Sequence, residues 1–104
     1  MNILVVSIQR FVDDHFPGFV QCVVADADGF EHQFFEKVPV VTSANLSSRS
    51  VYPQSGHIAC TFEAEWIDDR GRKLARVSTV EPWGVESLTG ETNFTVLREQ
   101  IVCG

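Results

Sequence analysis

The chain has 104 residues, 44% of them hydrophobic, with eight Lys and Arg against fourteen Asp and Glu, for a formal net charge of −6. That length supports one domain, residues 1–104, with a single core and no obligatory covalent staple. The acidic balance disfavours a general role on nucleic acid or an anionic membrane surface, because both need cations to displace counterions or meet lipid charge.

Residues 3–8 (ILVVSI) are almost continuously apolar. A run this short suits a strand paired on both sides better than a membrane span, and no basic leader precedes it. The DDHFPG stretch at 13–18 marks a turn. Residues 19–26 form the next expected strand, and Asp26-Ala27-Asp28-Gly29 its hairpin turn. The return is expected over residues 30–41, with Phe30, His32, Phe34, Val38 and Val40 on one parity and Pro39 near the strand end.

Residues 43–56 (SANLSSRSVYPQSG) read as a polar linker, with one short helical turn expected at 43–47. Loops of this length are often functional. The clearest hairpin follows, over residues 57–80. Ile58, Cys60, Phe62, Ala64 and Trp66 alternate with polar or small residues, which places all five on one buried face. Asp68-Asp69-Arg70-Gly71 makes the turn, with acids to bond the local backbone and a glycine for positive φ. Pro82 and Gly84 then bracket Trp83 in a bend, Thr89-Gly90-Glu91 forms a third glycine turn, and residues 92–97 form a last strand, with 98–104 extending it or trailing as a tail.

Sequential antiparallel strands at this spacing predict an all-β domain: a small antiparallel barrel or sandwich, SH3-like or OB-like, with five to seven strands joined by glycine hairpins. Three cysteines, Cys22, Cys60 and Cys103, are odd in number and lack motif spacing. They point to free thiols in a reducing cytoplasm rather than a disulfide framework.

The residues that could carry chemistry do not assemble into a motif. Asp26-Ala27-Asp28-Gly29 resembles part of a calcium loop, but Val24 and Phe35 stand where ligands would be needed. His57 and Cys60 lie three apart on a strand and face opposite ways, so no metal site is expected. Glu63 and Glu65 share a polar face within reach of Arg76, which favours an ion pair over paired-acid catalysis. His32, flanked by Phe30 and Phe34, reads as a hydrogen-bonded core residue, since no nucleophile is tied to it. No catalytic residue and no cofactor are expected.

Two features remain. Arg70, Arg72, Lys73 and Arg76 place half of the basic residues within seven positions, either as a solvated hairpin tip or as a docking patch for acidic groups. Trp83 either plugs the end of the barrel or stands out as a rigid anchor, with Tyr52 as a partner from the linker. The sequence therefore favours a non-enzymatic cytoplasmic module that binds a protein partner through Trp83, Tyr52, Arg70, Arg72, Lys73 and Arg76. The competing reading is an OB-like domain for a small ligand or single-stranded nucleic acid, with exposed aromatics stacking bases.

Overall fold

The computed structural model describes residues 1–103. Seven strands run in the order β1 (Asn2–Asp13), β2 (Phe19–Ala25), β3 (Glu31–Lys37), β4 (Gln54–Ile67), β5 (Lys73–Ser78), β6 (Asn93–Leu97) and β7 (Ile101–Cys103). All pairings are antiparallel, along the path β3-β2-β1-β4-β5-β6, and β7 adds to the start of β1. The sheet curls strongly into a half-barrel, so the chain is the small antiparallel β domain its strand pattern predicts.

β1 is the spine. Residues 2–8 pair with β4 on one side, while 7–13 pair with β2 and 2–4 with β7 on the other. This is the doubly flanked position that its apolar run calls for. Facing partners carry the core. Leu4 opposes Ile58, Ile8 opposes Cys22, Cys22 opposes Phe34, and Val77 opposes Phe94. All of these side chains are buried.

Three corrections concern where elements end or turn over. The strand expected over 30–41 stops at Lys37, and Val38–Val41 forms a single helical turn, α1, with Pro39 in its first turn. Proline fits there because the first helical N–H groups have no intrahelical partner. Val38 and Val41 are buried from this turn, whereas Phe30 lies outside β3 and is exposed. No helical turn forms at 43–47, where the backbone is bend and coil.

The third correction lies within β4. The strand serves two neighbours in succession, β1 up to Cys60 and β5 from Thr61 onward. A bulge between Phe62 and Ala64 interrupts the register, leaving Glu63 without an opposite residue. Beyond it the inward–outward alternation is lost, and residues 63–67 are all exposed. Ile58 and Cys60 face the core, Phe62 is half-buried against it, and Ala64 and Trp66 are exposed rather than buried. The same bulge brings Arg76 Nε to 3.7 Å from Glu63 Oε1 and leaves Glu65 to Arg98, at 2.8 Å. Arg98 also lies over the Phe62 ring, 5.1 Å from its centre.

The linker is held down by two close approaches. Tyr52 packs partly buried against the core, and its hydroxyl donates to the Ser47 carbonyl at 2.7 Å. Gly56 sits so close to its neighbours that a Cβ there would meet Ile8 Cδ1 at 2.7 Å and the Val41 carbonyl oxygen at 2.9 Å. α1 therefore seats directly on β4 only because position 56 has no side chain.

These burial differences give two expectations. Phe34→Ala should cost about 3–5 kcal/mol in denaturant unfolding, the usual range for an emptied aromatic site. Phe62→Ala should cost clearly less, and equal losses would show that Phe62 is packed as deeply as Phe34. Burial pushes the Cys22 thiol up to about 12, aided by the nearby Glu36 carboxylate, and burial raises Cys60 as well. A thiol reagent should therefore label exposed Cys103 quickly in the native protein and reach Cys22 and Cys60 only on unfolding. Fast native labelling of all three would contradict the packing.

Candidate functional site

Three turns with one wiring scheme organise the molecular surface. In the first, Asp26 Oδ1 accepts from the Asp28 and Phe30 N–H groups at 2.9 and 3.0 Å, and the Gly29 N–H donates to the Asp26 carbonyl. In the second, Asp68 Oδ1 accepts from the Arg70 and Arg72 N–H groups at 3.0 and 2.9 Å, and the Gly71 N–H donates to the Asp68 carbonyl. Gly29 and Gly71 take φ of 83° and 78°, the left-handed position such three-residue hairpin loops require. The turn at 87–91 repeats the scheme with Ser87 as acceptor for the Glu91 N–H at 3.0 Å.

Two of these turns close the half-barrel. β3 and β6 are the ends of the sheet path and do not pair with each other. The Ala27 N–H donates to the Thr95 carbonyl at 2.9 Å, and the Leu88 N–H donates to the Gln33 carbonyl at 2.8 Å. His32 stands at this seam, only 7% exposed. Its Nε2 lies 2.9 Å from Asp26 Oδ2, and because a carboxylate only accepts, the ring hydrogen belongs on Nε2. Its Nδ1 is buried without a hydrogen bond, 3.6 Å from Glu91 Oε1. The ring meets Phe30 and Phe94 edge-on at centroid distances of 4.8 and 4.9 Å. This is the buried, hydrogen-bonded histidine its flanking phenylalanines predict. The nearby hydroxyls do not serve it: Thr89 Oγ1 donates to Glu91 Oε1 at 2.6 Å, and Ser87 Oγ lies 3.1 Å from Thr89 Oγ1. The cluster works as a clasp between β3, the first turn and the third.

Burial works against the Asp26 carboxylate, but hydrogen bonds from His32 and from the Phe30 and Asp28 N–H groups outweigh it and hold its pKa below the usual range.

The four bases of the second hairpin do not form a free cationic patch. Arg72 Nε pairs with Asp68 Oδ2 at 2.8 Å, and its Nη1 donates to the Ala27 carbonyl at 2.9 Å, tying the second turn to the first. Hydrogen bonds from the Arg72 and Arg70 N–H groups and from the Arg72 side chain also lower the Asp68 pKa, against a smaller burial effect. Asp28, Asp68 and Asp69 line the same cleft as Arg70 and Arg72. Arg76 is paired with Glu63. Arg70 and Lys73 alone of the four make no ion pair among the described residues. Asp68, four positions before Arg72, and Glu63, on the preceding strand, account for the difference.

The aromatic pair also separates. Tyr52 is spent on its own loop, and no ring contact joins it to Trp83 among the described residues. Trp83 does not plug the barrel: it is 65% exposed. Val85 fills the interior beneath that bend instead, at 2% exposure. The loop 80–91 that carries Trp83 is tightly pinned. Thr79 Oγ1 donates to the Val85 carbonyl at 2.6 Å, the Val85 N–H returns to the Thr79 carbonyl at 3.0 Å, and the Gly84 N–H donates to the Val80 carbonyl at 2.7 Å. Val80 and Leu88 are exposed on the same loop, at 50% and 63%. Leu88 lies among turn residues, where exposure is unsurprising, whereas Val80 is expected to end the returning strand, which stops at Ser78.

Elsewhere, Asp13, Asp14 and His15 bring ligand-type atoms within 4.8 Å of one another at the end of β1. His15 Nδ1 is already hydrogen-bonded to Asp13 Oδ1 at 2.7 Å in this exposed turn. A shallow groove of about 530 Å³ lies between β1, β2 and the start of β4, with Val5, Val23, Pro53 and Gln100 in its lining. No helix is long and apolar enough to cross a membrane among the described residues. Compared with known proteins, the chain finds no match: no family model, no curated protein and no solved structure.

The Asp26 wiring sets an acid dependence. A carboxylate whose folded pKa is lowered contributes stability above its unfolded pKa and loses it as pH falls through the folded value. Asp26→Asn should therefore lower stability at neutral pH and flatten part of the stability loss below about pH 4. Parallel stability–pH curves for the two proteins would show that Asp26 does not support the seam.

Proposed function

We propose that the protein is a non-enzymatic binding module that docks a protein partner, with Trp83 as its anchor. The observation that carries this reading is a large aromatic side chain held out in water by a loop that is itself fixed from below. Tryptophan is enriched among the residues that dominate interface energy. A loop ordered in advance avoids much of the entropy cost of binding. Val80 and Leu88, exposed on the same loop, offer further apolar surface. Arg70 and Lys73 remain as separate exposed charges on the second hairpin and supply a secondary contact at most. Three free cysteines, two of them buried, support placing the protein in a reducing compartment such as the cytoplasm.

A photo-crosslinking residue in place of Leu88, introduced in the native cell, tests the reading. One discrete protein adduct should form, and Trp83→Ala should remove it while leaving unfolding unchanged. The same adduct from a crosslinker at Lys73, insensitive to Trp83→Ala, would place binding elsewhere. Turnover of a small molecule by the purified protein, with no adduct from either position, would overturn the module reading.

A further inference from the structure

We infer that the loop 80–91 receives a cationic apolar segment of its partner, a short stretch in which Lys or Arg flank a large aliphatic or aromatic side chain. The inference rests on the binding-module reading and names the partner chemistry for that surface. The loop sequence VEPWGVESLTGE holds three acids, Glu81, Glu86 and Glu91, and no base. All three acids are exposed, interleaved with the exposed Val80, Trp83 and Leu88. A loop that exposes apolar side chains among charges of one sign selects a ligand of the opposite sign, because a like-charged ligand is penalised on approach and on desolvation.

Internal use accounts for one of the three acids. Glu91 is engaged by the Thr89 hydroxyl and faces His32. Glu81 and Glu86 make no ion pair or side-chain hydrogen bond among the described residues. The indole face of Trp83 adds a second attraction specific to cations, strongest for the guanidinium of arginine. A second copy of this chain is a poor occupant, since at a net charge of −6 it would bring the same acidic rim against itself.

The test uses the whole protein in a Trp66→Phe background, so that fluorescence reports Trp83 alone. Three synthetic peptides are titrated: one of alternating Lys and Leu, one of alternating Glu and Leu, and one of alternating Lys and Ser. The Lys–Leu peptide should shift Trp83 emission to the blue and bind at least about tenfold tighter than either other peptide, the size of a single hot-spot contribution. Glu81→Gln together with Glu86→Gln should weaken it several-fold and reduce its salt dependence, with the unfolding curve unchanged. Trp83→Ala, followed by calorimetry, should weaken it by about tenfold or more. Equal binding of the Glu–Leu peptide, binding indifferent to Trp83→Ala, or no binding by any peptide overturns the inference. If the crosslinked partner then proves to touch this loop through an acidic or uncharged segment, the partner chemistry is wrong and the module reading stands. If no partner is captured at all, both fall.

Discussion

A curled sheet of six strands in one path must do something with its two ends, and the closure between β3 and β6 is the constraint on which the rest depends. An exposed strand edge is an aggregation hazard. Here the edges are spanned by backbone hydrogen bonds from turns, Ala27 to Thr95 and Leu88 to Gln33, in place of a strand ladder. That solution requires two turns of fixed shape, which is why the Asp26 and Ser87 side chains are both committed to their own backbone. It also requires something to fill the seam, and His32 does so with its ring against Phe94 and its Nε2 on Asp26. The exposed loop with Trp83 follows from the same constraint, because the chain from β5 to β6 must travel across to β3 and back. The segment that completes the barrel is thus also the segment that presents the apolar surface.

Much of this was legible in the residues. Alternation located β2 and β6 to within a residue or so, and the apolar run at 3–8 correctly marked a strand flanked on both sides. Glycine after an acidic pair located both long hairpin turns. Other features depended on tertiary structure. Nothing local to FEAEW announces a bulge, since its alternation simply continues that of residues 58–62; the break comes where the partner of β4 changes from β1 to β5. α1 replaced a strand end because Val38 and Val41 reach the interior from one turn. Gly56 looked like a linker glycine, and its role as the contact point for Ile8 and Val41 exists only once three elements have met.

The candidate site shows the same division. A run of bases at 70–76 is visible to anyone reading the chain, but whether it is a field or a set of pairs depends on which groups the fold sets against each base. Arg72 bonds a carbonyl 45 positions earlier, and Arg76 faces a glutamate on the preceding strand. A cluster of four like charges in sequence became two paired bases and two unpaired ones in space. The loop 80–91 moved the other way. Its tryptophan could have been core, and the deciding fact is that Val85, two residues on, occupies the interior in its place.

The bulge at Glu63 separates the molecule into halves that answer to different demands. Up to Cys60 the alternation of β4 is dictated by the interior, while beyond Glu63 it is set by β5 and faces water. An extra residue that pairs with nothing acts as a phase break between the two. On this arm Trp66 and Ile67 stand outward while the facing strand β5 still buries Leu74 and Ala75, so the outward side chains of β4 can change over evolution without altering which side chains the core receives. Such a break gives a small domain, with few residues to spare, a region where new surface can be tried at low risk to the fold.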